Sequence, residues 1–476
     1  SVRWRQDSCE AARRFAAHLS TGRHGARVVG FVPYSTGWDW HGVGETHVEL
    51  FGKANSANIA YPTEGDVSQP MVMAFRAFLR EKYSCDAALQ AAWRDAGATL
   101  ERAALPQRVD VRSPLPHVAD YFECYNRLNA QLAVAWCEAL KAGAPGCLTG
   151  VSHGFVFGYP NGEALHPHGS GHNAPEILLA SPAIDFFLSS PAGSDGAGDV
   201  LSQHALGSLR LAGKTHVHVF EGANLALRTE AEQRRALYRA AGYARVHGSR
   251  LALGEACRGP LSPGMAHEQA VHLPYDSDGM RQEVSRVRHA MEDHAASPTG
   301  VAADAAVFVS PRACYRRALE SRFGVERVEA FRNQVLLRSG LCFDEYLLDD
   351  FTRVAEQYRL WIFLDCPDID GPAWLAVTQR PERAVFATGN TVIARPEELR
   401  AAAARAGAHV WCTSDDAVFA GHGCLLFVAH QPGEKHLCLP KPMAVRNLWS
   451  DEIVSAKTET VRFKAEAGEA LLWALA

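Results

Sequence analysis

The sequence has 476 residues, 47% hydrophobic and 21% charged, which is the balance of an ordinary globular chain with room for two to four domains. A formal net charge of −5, with no Lys/Arg cluster, argues against nucleic acid or an anionic membrane as the main partner. No apolar run approaches the ~18 residues of a membrane span, and no signal-peptide pattern is present.

The first part of the chain alternates helical patterns with short apolar runs. Residues 6–19 read as a helix, and Arg27–Val32 (RVVGFV) as a buried strand, being short, β-branched and bounded by glycine. A long polar loop carrying Trp38, Asp39, Trp40 and Glu45 follows. Phe75, Phe78 and Leu79 show helical spacing, and 120–142 is a second long helical stretch. Strands are expected at Cys147–Phe155, Ile184–Ser189, Thr215–Glu221 and Arg250–Ala256, with helices in 230–246 and 280–295. Apolar strands alternating with helices are the signature of a parallel sheet covered on both faces. Five such strands are visible, where a (β/α)8 barrel needs eight.

After a linker at 298–302, a second α/β domain, of the doubly wound kind, is expected from strands at Ala305–Ser310, Leu341–Leu347, Leu360–Asp365, Ala384–Thr388 and His409–Thr413. One helix there is well signalled: Pro396 at its first position, Glu397 and Glu398 in the first turn, and Gly407 at its end. No GxGxxG occurs, so a dinucleotide site has no support. From about 419 onward, short alternating runs predict a small antiparallel β domain. The expected domains are thus 1–297, 303–418 and 419–476. Twelve scattered cysteines lack the spacing of a zinc knuckle or redox pair. They are read as reduced, buried thiols of a cytoplasmic protein.

In a barrel, catalytic groups stand at the C-terminal ends of strands. The first strand runs into Asp39 and Glu45, Thr215–Glu221 ends on Glu221 itself, and Arg250–Ala256 ends near Glu255. Two carboxylates at strand ends, beside tryptophans whose faces stack on sugar rings, fit glycoside hydrolysis. Trp38 and Trp40 are candidate sugar platforms, and His153, which follows a strand, is a candidate pocket residue. Strict alternation puts His216 and His218 on the opposite face from Glu221, against helices. His166, His168 and His172 share one loop but lack an accompanying carboxylate or cysteine pattern, so no metal site is expected. Cys366 has no Gly-flanked elbow and is read as structural.

The segments SVRWRQDSCEAARRFAAHL…RVVGFVPYSTGWDWHG, AFRAFLREKYSCDAALQAAWRD, ASPAIDFFLSSP and LAGKTHVHVFEGANLALRT resemble family 42-like β-galactosidases of the clan-A glycoside hydrolases. The order of a barrel, an amidotransferase-like α/β domain and a small β domain is similar too. The resemblance implies that Arg27–Val32 is the fourth barrel strand, followed by the acid/base, and that the strand ending on Glu221 is the seventh, carrying the nucleophile. Two departures stand out. The family's Glu before the Trp after strand four is here Asp39, one methylene or about 1.5 Å shorter. After Glu221 the run is GANLALRT, without the family's acidic neighbour.

The resulting expectation is a retaining glycosidase on a β-galactoside-like substrate. Glu221 attacks the anomeric carbon; Asp39, with Glu45 in reserve, protonates the leaving oxygen and then activates water. No cofactor is needed, and the resemblance implies a homo-oligomer, a trimer. Strands corresponding to the family's first three are not found, so the chain is expected to be a fragment of a longer protein or a truncated gene product, with an incomplete barrel. A catalytically impaired carbohydrate-binding relative is the alternative. An amidotransferase-like hydrolase centred on 303–418 fails for want of a Cys–His–Glu constellation.

Overall fold

The computed structural model describes residues 1–33, 68–106, 115–154, 171–189, 201–221, 229–254, 277–292, 302–316, 328, 330–367, 369–387 and 395–476. These fall into two compact units. The first comprises 1–188, 208–214 and 310–328; the second comprises 189–207, 215–309 and 329–476.

The first unit opens with α1 (Val2–Thr21), started by Ser1, whose side chain accepts from the Trp4 amide as N-cap serines do. β1 is only Gly30–Phe31. The longer run expected at 27–32 is cut short because a 3-10 turn occupies Gly25–Arg27. Two helices follow, α2 (Gln69–Tyr83) and α3 (Asp86–Trp93), then the 28-residue α4 (Pro116–Gly143). Val118, Tyr121, Phe122 and Tyr125 of α4 pack with Phe75 and Leu79 of α2 and Leu89 of α3. Farther along, Ala133 and Cys137 meet Val151 of β2 (Leu148–Ser152) and Phe187 of β3 (Phe186–Ser189). The short α5 (Pro175–Ala180) closes this cluster through Leu178.

Asp120 ties the three helices together. Its buried carboxylate accepts from Lys82 Nζ at 2.8 Å, the Tyr83 hydroxyl at 2.8 Å and Trp93 Nε1 at 2.7 Å. A buried charge is tolerated only with such full satisfaction.

A short helix, α6 (Leu206–Leu211), straddles the division between the units. The second unit holds β4 (Thr215–Glu221), α7 (Glu230–Val246), β5 (Arg250–Gly254) and α8 (Asp278–Glu292). α7 begins with a reciprocal capping box between Thr229 and Glu232. β1 pairs with β2, β2 with β3, and β4 with β5, each parallel. The order along this sheet is β1-β2-β3-β4-β5, and the boundary between units falls inside β3. The strand centres predicted from the sequence are those found.

The α/β part of the second unit has a four-stranded parallel sheet of β6 (Ala305–Val309), β7 (Phe343–Leu347), β8 (Leu360–Leu364) and β9 (Ala384–Ala387), in the order β7-β6-β8-β9. β6 and β8 are buried along their whole length, which is why they read as unbroken apolar runs. α9 (Gly371–Gln379) and α10 (Pro396–Ala406) follow β8 and β9. The proline start of α10 and its left-handed Gly407 end are as expected.

The strand expected at His409–Thr413 does not form. Val410 makes only an isolated antiparallel bridge to Leu341. The backbone of Trp411 bonds instead to Gly340 and Cys438, so its ladder groups are already used.

The C-terminal β domain is present as a five-stranded antiparallel sheet: β10 (Ala417–Gly421), β11 (Cys424–Val428), β12 (Gly433–Asn447), β13 (Ile453–Ala465) and β14 (Ala470–Leu475), in the order β10-β11-β14-β12-β13. Among the described residues no helix is long and apolar enough to cross a membrane.

Candidate active site

Parallel pairing places the ends of β1, β2 and β3 on one edge of their ladder, and those of β4 and β5 on one edge of theirs, which is where such sheets carry their chemistry. The residues at those ends are Phe31, Ser152, Ser189, Glu221 and Gly254. Glu221 is the last residue of β4, in register with Gly254 of β5. Asp39, Trp38, Trp40, Glu45, Glu255, His166 and His168 lie outside the described residues.

The burial of β4 alternates, as a pleated strand requires. His216, His218 and Phe220 are buried, whereas Val217 and Val219 are half-buried. The buried side faces α7: the His218 ring lies 5.8 Å from that of Tyr243. His218 therefore packs against a helix, as alternation predicted, with His216 on the same face of the strand.

His216 is held from both sides. Its Nε2 is 2.9 Å from Ser189 Oγ and its Nδ1 is 2.8 Å from Ser249 Oγ. A neutral imidazole offers one donor and one acceptor, and the rotatable hydroxyls supply the complements. Burial, reinforced by His218, His204 and His247, pushes His216 well below the usual histidine range. Burial alone brings His218 down to about 4. Neither ring nitrogen of His218 has a hydrogen-bond partner among the described residues. Four imidazoles thus stand close together beneath the strand that ends on Glu221, with His204 6.1 Å from His216 and His216 6.0 Å from His218. Sequence reasoning missed Ser189, Ser249, His204 and His247. The available signal was a serine at the end of one neighbouring strand and just before the start of the other.

In the first unit, His153 follows β2 on the same side as Val151. It is buried against His172, with ring centroids 4.8 Å apart, and against Phe187. His172 Nδ1 accepts from the Gly154 amide, which fixes the ring beside the strand end. Asn173 then anchors the following turn: its amide donates to Pro311 O and Cys314 Sγ, and its carbonyl accepts from Tyr315. Cys366 is buried, its thiol directed at the carbonyls of Phe308 and Leu364. Among the described residues, no group of three or more His, Cys, Asp or Glu is arranged to hold a metal ion.

Comparison with protein-family models finds no match, and neither does comparison with curated sequences. Solved structures do match in fold. The β-galactosidase of the psychrophilic Marinomonas ef1 superposes at a TM-score of 0.59 with 12% identity, over 100% of this chain and 83% of that one. The cold-adapted β-galactosidase of Rahnella sp. R3 gives 0.59 with 11% identity, over 99% and 81%. An exo-carrageenase of glycoside hydrolase family 42 from Bacteroides ovatus gives 0.55 with 11% identity, over 86% and 63%. The chain thus spans less than two thirds of the exo-carrageenase, and it has the fold of family 42 enzymes.

Proposed function

We propose that this chain is a retaining glycosidase acting on β-galactoside-like substrates, with Glu221 as nucleophile and Asp39 as acid/base. The observation that carries the reading is the position of Glu221. It ends β4, which pairs in parallel with β5, in a chain whose fold is that of family 42 enzymes. Counting the five strands as four to eight of a barrel makes β4 the seventh, where that family keeps its nucleophile.

In this mechanism Glu221 attacks the anomeric carbon while Asp39 gives its proton to the departing oxygen. Asp39 then takes a proton from the water that cleaves the glycosyl ester. Trp38 and Trp40 supply stacking faces, and His153 lines the substrate pocket. The layout is a barrel-type domain over 1–297, an amidotransferase-like domain over 303–418 and the β domain over 419–476, in a cytoplasmic homo-oligomer.

A second reading is favoured by one feature, the shorter Asp39 where the family has Glu. It makes the chain a carbohydrate binder with impaired catalysis. Hydrolysis of nitrophenyl β-galactoside, measured for the wild type and Glu221→Gln, separates the two. Turnover lost in the variant supports the glycosidase. Sugar binding without turnover in either protein supports the binder, and turnover unchanged in the variant excludes Glu221.

A further inference from the structure

The loop between β11 and β12 buries a histidine whose ring bonds to nothing in the chain around it. His430 is 5% exposed, and neither of its ring nitrogens has a hydrogen-bond partner among the described residues. Buried polar side chains are ordinarily satisfied, and one that is not calls for a ligand or a reason.

The groups around it carry charge. Asp416, fully buried, accepts from the His430 amide at 2.8 Å, from Ser414 Oγ at 2.6 Å and from Lys435 Nζ at 2.8 Å. That carboxylate is therefore committed to Lys435, itself buried. Two arginines stand close by. Arg239 of α7 donates through Nη1 to Gly468 O at 2.9 Å, and the Gly468 amide donates to the carbonyl of Ala429, the residue before His430. Arg400 Nη1 donates both to the carbonyl of Arg338, at 3.1 Å, and to the carboxylate of Asp415, at 3.0 Å, which sets residue 338 beside Asp415 and Asp416. The half-buried Arg338 side chain makes one long bond, from Nε to Asn333 O at 3.4 Å, and its terminal nitrogens have no partner among the described residues. Burial first, then the positive charge of Arg338, Lys435 and Arg239, brings the His430 ring down to about 4 despite Asp416.

Three cations and one carboxylate thus act on an enclosed imidazole. The imidazole N–H and the guanidinium N–H groups are donors, so the complementary ligand is an acceptor carrying negative charge. A guanidinium fork matches the oxygens of an oxyanion in geometry as well as charge. A ring so enclosed suits a bare ion rather than a group carried on a larger molecule.

We propose that His430 and Arg338, with Arg239 adding positive charge, form a site for an inorganic tetrahedral oxyanion, phosphate or sulfate. The ion accepts from the imidazole and from the terminal N–H groups of Arg338. Because these residues come from α7, from the segment before β7 and from the C-terminal β domain, the bound ion fastens the three together and stabilises the fold that binds it. This inference stands independently of the glycosidase reading.

Calorimetric titration of the full chain with inorganic phosphate, and separately with sulfate, tests it, with ionic strength held constant by sodium chloride so that general screening drops out. The expected result is one ion per chain with a dissociation constant at or below about 1 mM. The thermal midpoint should rise and saturate over the same range, whereas a general salt effect rises without saturating. Arg338→Met and His430→Phe should each weaken binding at least about tenfold, as loss of a hydrogen bond to a charged group does. Arg338→Met gives up a single long hydrogen bond of the fold, so it keeps the test open should the buried substitution fail to fold; circular dichroism of each variant guards the comparison. Absence of saturable binding by both ions, or an affinity unaltered in a folded variant, would overturn the proposal.

Discussion

Lowering the pH from 7.5 to 5 should loosen β4 through His218. In the folded chain this ring takes a proton only near pH 4, against 6.5 for an ordinary histidine. The unfolded chain therefore binds the proton first as pH falls. The stability this group contributes is whole above about pH 6.5, is lost between 6.5 and 4, and falls no further below 4. At pH 5 the linkage amounts to about 2 kcal/mol lost relative to pH 7.5. His218 is wholly enclosed, so solvent screening takes little away, and both its ring nitrogens lack partners among the described residues. His218→Phe therefore removes the titration without breaking a hydrogen bond, and the new ring keeps an aromatic face for Tyr243. Hydrogen exchange of a peptide covering 215–221, expressed as protection factors at both pH values, isolates the local effect from the rest of a two-unit chain. The wild type should lose protection about 30-fold more than the variant between pH 7.5 and 5, the equivalent of about 2 kcal/mol. Equal losses in the two proteins would refute the argument that a neutral His218 is required beneath this strand.

Other outcomes follow from the same geometry. Asp120→Ala should cost about 3–5 kcal/mol in urea unfolding of the first unit, because it strands the Trp93 N–H and Tyr83 hydroxyl and removes Lys82's buried partner; a loss under about 1 kcal/mol would mean that water replaces the carboxylate. Gly340→Ala should cost about 2 kcal/mol or more, read from the thermal midpoint: its φ is +68°, and the added methyl would meet the Cys412 carbonyl. Asp39→Glu should preserve or raise nitrophenyl galactoside hydrolysis if Asp39 is the acid; a lower rate would indicate a site built around the shorter side chain.

Elements were legible where local chemistry was strong. The Thr229 capping box, the proline start of α10 and the alternation of β4 can each be read from a few neighbouring residues. So could the fully apolar β6 and β8, since a strand covered on both faces needs no polar side. The failures share a cause. His409–Thr413 has the β-branched and aromatic composition of a strand, but its hydrogen bonds are drawn off by Gly340 and Cys438, distant residues that no local pattern reveals. RVVGFV is apolar after Arg27, and the preceding turn consumes its start. Around the candidate site, the carboxylate ending β4 was legible, because strand ends are local. Ser189 and Ser249 became partners of His216 only through the tertiary fold, from residues 27 and 33 positions away.

The strand order of the C-terminal sheet carries a consequence for how this region is made. β14 lies between β11 and β12, although it is the last of the five to be synthesised. Until residues 470–475 emerge, the region consists of two hairpins, β10–β11 and β12–β13, each with an open flank. The sheet therefore closes only after its last segment in sequence is in place. Loss of residues 470–475 would remove the central beam rather than trim an edge.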